Sequence, residues 1–220
     1  MCGRYLLDDE AYADIIASLI EFKQSPVDSA ISGAAPGTAL SATRGAAPGL
    51  TPDAVTALAR GEVFPTNIAP VITRDGPMAA KWGFPHWKGA GVIVNARAET
   101  AAEKNMFRKP LLERRCVVPS SGFYEWRHTG SQKKDKFLLR VPGERVLFMA
   151  GIINIFKDAD CNDYSAFVIL TTAANAYMAP IHDRMPVILA PDERDRWLRD
   201  GAFMESVLRR AGPALALEIQ

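Results

Sequence analysis

Cysteine is scarce in this chain: three residues, Cys2, Cys116 and Cys161, in 220. An odd and widely spaced set argues against a disulfide framework and against a Cys-rich zinc site, and it favours a reducing compartment. Histidine is as sparse, with His86, His128 and His182 alone, so no multi-histidine metal site is expected. No run approaches the roughly 20 apolar residues of a membrane span. The start, Met1-Cys2-Gly3-Arg4-Tyr5-Leu6, lacks the basic segment and long apolar run of a signal peptide. These absences point to a cytoplasmic protein with no membrane partner. An excess of either charge is also missing, the formal net charge being +1. A polyanion would therefore meet a local patch and not a global field. There are no internal repeats.

What is present is globular composition, 48% apolar and 23% charged, enough for a real core. Tyr12, Ile15, Ile16, Leu19 and Ile20 recur at helical spacing behind Asp8 and Asp9, either of which can cap. Ala, Gly, Ser and Pro then dominate, and residues 26–52 read as a flexible insertion with few side chains able to pack. Thr51-Pro52 looks like a helix start, with Gly61 as its stop. Short apolar runs follow: 92–94, 116–118, 137–139, 146–149 and 167–170, each bounded by turn-forming or basic residues. Their continuity suggests strands buried on both faces. Pro191 opens a helix through Leu198 that Gly201 should end, and 203–210 reads as another. One mixed domain of helices and strands over 1–220, strand-rich at its centre, is the economical reading.

Cys2 carries the most distinctive chemistry. A Cys after the initiator Met is small enough for Met removal, which leaves a terminal residue with two nucleophiles on adjacent carbons. Its α-amine has a reference pKa of roughly 7.7–8.0 and its thiol one near about 8.5, so both need little help at neutral pH. With an aldehyde, the amine forms an imine and the thiol closes a five-membered thiazolidine. With an amide or ester, the same residue could act as an N-terminal nucleophile.

Four further segments gather chemistry-bearing residues. Trp82-Gly83-Phe84-Pro85-His86-Trp87 is either a buried aromatic corner or a stacking wedge for nucleobases. Asn95-Ala96-Arg97-Ala98-Glu99-Thr100 follows an apolar strand, where Asn can hold an amine and Arg a phosphate, or can simply end the strand. Ser121-Gly122-Phe123-Tyr124-Glu125-Trp126 sets a carboxylate among aromatics, as a proton carrier or as an exposed Glu on an edge strand. Ile181-His182-Asp183-Arg184-Met185-Pro186 holds the side chain type that titrates near neutrality, with a carboxylate brought in by folding a better orienter than its own neighbour.

In this order the segments resemble the SRAP family (SOS response-associated peptidase-like, abasic-site processing proteins). The matching text also includes Asn67-Ile68-Ala69-Pro70, Arg114-Arg115-Cys116-Val117-Val118-Pro119, Ala150-Gly151 and Thr171-Thr172-Ala173-Ala174-Asn175. The resemblance implies an α+β fold, one SRAP-like domain with a barrel-like centre and flanking helices. It implies action on abasic sites in single-stranded DNA through a thiazolidine crosslink that shields the lesion. By motif position Cys2 would be the nucleophile, Asn95 would position its amine, and Glu125 would shuttle protons. His182 would stabilise developing oxygen charge, Arg4 and Arg97 would hold phosphates, and Trp82 and Pro85 would sit where the strand bends. No cofactor is implied, and a monomer acting at the nucleoid is expected. The chain departs from the family pattern in the 26–52 stretch, in Val71-Ile72 after Ala69-Pro70, and in the short passage from Trp87 to Asn95.

Two other readings keep parts of the same set. A thiol peptidase acting on its own N-terminus or on peptides would use Cys2, Glu125 and His182. A non-covalent binder of single-stranded or modified DNA would use Trp82, Trp87 and the basic clusters Lys104, Arg108, Lys109, Arg114, Arg115 and Lys133, Lys134, Lys136. Cys116 reads as a buried packing residue.

Overall fold

The computed structural model describes residues 3–24, 58–86, 89–128 and 134–220. Cys2, Trp87, Lys133, the 26–52 stretch and most of the helix expected from Thr51 lie outside them. The first strand, β1 (Arg4–Leu7), leads into α1 (Asp9–Gln24). Asp8 caps that helix, its Oδ1 accepting the Ala11 N–H at 2.9 Å. Then come β2 (Gly61–Val63), β3 (Ile68–Thr73), β4 (Gly76–Trp82), β5 (Phe84–Pro85), β6 (Val92–Ile93) and β7 (Asn95–Arg97). A 3-10 turn over Ala98–Thr100 precedes α2 (Asn105–Glu113), β8 (Arg115–Ser120), β9 (Gly122–His128) and β10 (Lys134–Arg140). The chain continues through β11 (Leu147–Lys157), β12 (Asp163–Ala173), β13 (Arg184–Pro186) and β14 (Ile188–Leu189). It finishes with α3 (Arg194–Arg199), α4 (Gly201–Arg209) and β15 (Ala216–Ile219).

Five strands close on themselves. β4 pairs with β3, β3 with β8, β8 with β11 and β11 with β12, all antiparallel. A parallel pairing of β12 with β4, Phe167 beside Trp82, shuts the ring. The strand-rich, barrel-like centre implied by the resemblance is thus present, in a mixed α+β chain with four helices among the described residues. Closure removes sheet edges, and it explains the continuous apolar runs: all six residues of β8 and 166–172 of β12 are buried. Such strands need cover inside and outside the barrel. Gly151 allows β11 to pack closely between β8 and β12, since a Cβ there would lie 2.9 Å from Cys116 Sγ and 3.1 Å from the Val168 carbonyl.

A second sheet, ordered β15-β10-β9-β1-β2, is antiparallel throughout. The chain passes into it from the barrel between β8 and β9. There Ser121 donates its N–H to the Leu6 carbonyl at 2.7 Å and its Oγ accepts the Asp8 N–H at 2.9 Å.

Two expectations change near the C-terminus and in the basic cluster. Gly201 does not end a helix; it opens α4, capped by Asp200, whose Oδ1 accepts the Phe203 N–H at 3.0 Å. Arg115 is not a surface cation. It is 6% exposed, and its guanidinium donates to the carbonyls of Trp197 (2.5 Å) and Leu198 (3.3 Å) at the end of α3, and of Leu111 (3.0 Å) and Leu112 (3.2 Å) at the end of α2. A cation at two helix C-termini meets the orphan carbonyls and the negative ends of both dipoles.

Candidate functional site

The register of β1 against β9 sets up the site. Arg4 lies opposite Tyr124 and Tyr5 opposite Phe123. Side chains alternate across a strand, so Tyr5, Phe123 and Glu125 share the face turned toward the barrel, while Arg4, Tyr124 and Trp126 share the other. Glu125 is 3% exposed, and its Oε2 accepts the N–H of Trp126 at 3.3 Å. It is therefore an inward carboxylate, not the exposed edge-strand Glu of the plainer reading. The same register brings the amino-terminal end of β1 alongside it.

Trp82 joins this corner to Asn95. Its ring meets Tyr5 at 5.1 Å and stacks on Phe167 at 6.4 Å, and its indole N–H donates to the Val94 carbonyl at 3.0 Å. Trp82 is 0% exposed. In this conformation it offers no face to a nucleobase, so the place expected for it on the DNA is corrected to a place in the core. Gly83, at φ +114°, turns the chain so tightly after β4 that a Cβ would fall 2.7 Å from Val92 Cβ. Pro85 follows, half-buried in the β5–β6 ribbon.

Asn95 is 8% exposed and lies opposite Ile169 of β12, with Arg97 opposite Thr171. Beside them is a cavity of about 680 Å³ whose lining includes Asn95, Arg97, Lys104, Asn105, Phe107 and Thr171. Arg97 and Lys104 are exposed, so two cations stand at this cavity with a buried amide. Thr171, 1% exposed, is a site residue that the sequence reading quoted in a motif without assigning it a role.

On its other edge β12 pairs with β13, Ala173 opposite Arg184, and His182 stands in the turn just before. His182 Nδ1 accepts the Arg184 N–H at 3.0 Å and lies 2.8 Å from Asp183 Oδ1. Arg184 in turn donates twice to Glu99, both bonds 2.8 Å, and to the Thr171 carbonyl at 2.6 Å. These bonds hold the Glu99 carboxyl below the usual carboxylate range, against a smaller opposing effect of burial. Glu99 and Arg184 are 85 residues apart, so no local pattern could have announced the pair.

Arg4 faces the other way. Its guanidinium lies 4.6 Å from the Phe64 ring and 4.9 Å from the Trp126 ring, with Glu62 Oε2 at 3.3 Å. Glu62 also pairs with Lys136, and that hydrogen bond leads the causes that lower its carboxyl pKa. Burial, followed by the Glu62 charge, pushes the Tyr124 phenol up. Among the described residues no group of three or more His, Cys, Asp or Glu is placed to hold a metal, and no helix is long and apolar enough to cross a membrane.

Of the expected residues, Asn95 and Arg97 line one cavity. Glu125 stands beside the start of β1, and His182 is tied through Arg184 to the turn that follows Asn95. Arg4 occupies the opposite face of the Glu125 sheet, Trp82 is core, and Cys2 is outside the described residues.

The chain is similar to known proteins in sequence and in fold. The family model of the SOS response associated peptidase (SRAP) matches residues 1–214. The chain is 34% identical over 171 residues to the abasic site processing protein YoqW of Bacillus subtilis, covering 69% of this chain and 76% of that one. It is 36% identical over 154 residues to YoaM of the same organism, likewise named an abasic site processing protein, covering 63% and 68%. A crystal structure of a protein from Bacteroides thetaiotaomicron superposes with a TM-score of 0.72 at 25% identity, covering 99% of this chain and 91% of that one. A family match across nearly the whole length, carried on the same barrel, places this chain in the SRAP family.

Proposed function

We propose that this protein processes abasic sites in single-stranded DNA by condensing Cys2 with the ring-opened sugar. Removal of Met1 frees the α-amine. The amine attacks the aldehyde carbon of the sugar, and the resulting carbinolamine loses water to give an imine. The thiol then adds to the imine carbon and closes a thiazolidine. The net change is aldehyde plus aminothiol to thiazolidine and one water, with no oxidant, metal or cofactor consumed.

The observation that carries this reading is the β1–β9 register beside Glu125. Cys2 is two residues before Arg4, and two residues of chain span at most about 7 Å, so its nucleophiles are tethered near the amino-terminal end of β1. A buried carboxylate there suits the proton traffic of ring opening, carbinolamine dehydration and thiol addition. Asn95 would hold the amine and His182 would donate to the developing oxygen charge. Arg97 with Lys104 would take a neighbouring phosphate at the cavity mouth. Arg4 would reach a phosphate only in competition with Glu62. The names of the relatives support the substrate, and the whole chain is read as one unit of this activity.

Intact-protein mass spectrometry with a single-stranded oligonucleotide carrying one abasic site tests it. The expected product lacks Met1 and gains the oligonucleotide mass less one water, and Cys2→Ser gives no heat-stable adduct of this kind. Loss of Met1 without any adduct, at saturating DNA, overturns the reading. The word peptidase in the family's description favours a second use of the same residues, which requires turnover of peptides that is indifferent to DNA.

A further inference from the structure

The mechanism so far leaves Glu99 without a task, although its carboxylate makes the best-formed ion pair around the site. Arg184 is 14% exposed at its side chain and meets Glu99 through two 2.8 Å bonds, the planar fork matching the carboxylate. The same guanidinium reaches the Thr171 carbonyl at 2.6 Å and its Oγ1 at 3.4 Å. One cation therefore ties together the turn after Asn95, the strand β12 and the segment carrying His182.

The backbone of Arg184 does the rest. Its N–H donates to His182 Nδ1 at 3.0 Å. An imidazole nitrogen that accepts this bond holds no proton, which places the proton of the neutral ring on Nε2. Asp183 Oδ1, 2.8 Å from the same nitrogen, asks for the opposite arrangement. The two demands exclude each other. Asp183 is 83% exposed at its side chain and turns to water at little cost, whereas the Arg184 N–H is held by the anchored guanidinium and by the β12 pairing.

We infer that Glu99 is a positioning residue: acting through Arg184, it holds the neutral His182 ring with Nδ1 as acceptor and Nε2–H presented as donor. This rests on the crosslinking reading for its consequence but not for its geometry. The donor role follows, because a neutral ring with Nε2–H stabilises charge growing on an oxygen without surrendering its proton. Loss of the clasp leaves the imidazole in place and lets Asp183 draw the proton to Nδ1.

The test combines nitrogen-15 spectra of histidine-labelled protein with adduct kinetics. His182 is assigned by the signal missing in His182→Gln. In the parent protein the neutral ring is expected to show an acceptor Nδ1. Glu99→Gln should move both ring nitrogens toward a tautomer mixture. It should also lower the rate constant of adduct formation at saturating abasic DNA by about tenfold, with the dissociation constant changed less than about twofold. Arg184→Lys, which keeps the charge and drops the fork, should do the same and serves if Glu99→Gln does not fold. Glu193→Gln removes a comparable bidentate partner, that of Arg210, away from the site and should leave both readouts as in the parent.

An unchanged nitrogen pattern in Glu99→Gln, a rate equal to the parent's, or a loss that follows the dissociation constant alone overturns the inference. A parent protein that forms no adduct overturns the crosslinking reading instead, while the spectra still decide the role of Glu99.

Discussion

The rings of Tyr5 and Trp82 meet at 5.1 Å with their planes 60° apart, and the same indole donates to the Val94 carbonyl at 3.0 Å. Trp82 thereby spaces the strand that begins near Cys2 from the strand that begins with Asn95. Trp82→Phe keeps a ring and removes the donor, leaving the Val94 carbonyl with the Ile169 N–H at 3.1 Å alone. A loss of about 0.5–1.5 kcal/mol in stability is expected from the hydrogen bond, measured by urea denaturation. Adduct formation at saturating DNA should fall more than DNA affinity does. Affinity that drops while the rate holds would return Trp82 to the DNA-contacting role first expected of it.

Arg115 offers a stability test far from the chemistry. Arg115→Met fills much of the same volume but leaves four helix-terminal carbonyls without their donor. Each buried acceptor left unpaired is costly, and a total loss of about 2–4 kcal/mol is expected in denaturant titrations. A variant as stable as the parent would show that these carbonyls find water instead.

Acid should weaken the fold through two clasped carboxylates. Arg184 holds the Glu99 carboxyl low and Arg210 does the same for Glu193. A carboxylate with a depressed folded pKa stabilises the protein above its unfolded value of about 4.3. That contribution is lost as pH falls through the lower folded value. The denaturation midpoint should therefore decline from about pH 4.3 downward. Glu193→Gln should show a shallower decline, and an identical slope in that variant would count against the pair.

The cysteines should separate by reactivity. Burial pushes the Cys116 thiol up, away from the thiolate that alkylates, and Cys116 is 0% exposed. Cys161 is exposed in the β11–β12 turn. Peptide mapping after brief treatment of native protein with iodoacetamide should find Cys161 labelled and Cys116 unlabelled until denaturant is added. Rapid labelling of Cys116 in native protein would mean that the barrel opens at Gly151.

Much of this architecture was legible along the chain. The 3.6-residue spacing from Tyr12 with Asp8 ahead of it became α1, and the apolar runs around 117, 138, 148 and 168 became strands. Periodicity and capping are local, so they can be read locally. Gly201 misled because glycine follows helices often, while here Asp200 supplies a cap and starts another. The α2 helix went unread because Pro110 interrupts its pattern.

For the site, residue types marked Cys2, Asn95, Glu125 and His182 one at a time, each beside a plainer structural reading, and the resemblance to the SRAP family joined them into one chemical hypothesis. Which way each side chain points was not in the order of residues. A Glu between Tyr and Trp alternates inward or outward according to strand register, and only the pairing of β1 with β9 turns Glu125 inward and Trp126 outward. Likewise a tryptophan beside Gly and Pro suits a wedge or a core equally well, and only closure of β12 on β4 buries Trp82. The sequence by itself determined the chemical inventory and the local elements. Tertiary structure decided register, burial and the 85-residue pairing of Glu99 with Arg184, because these depend on contacts between segments that no short stretch of chain contains.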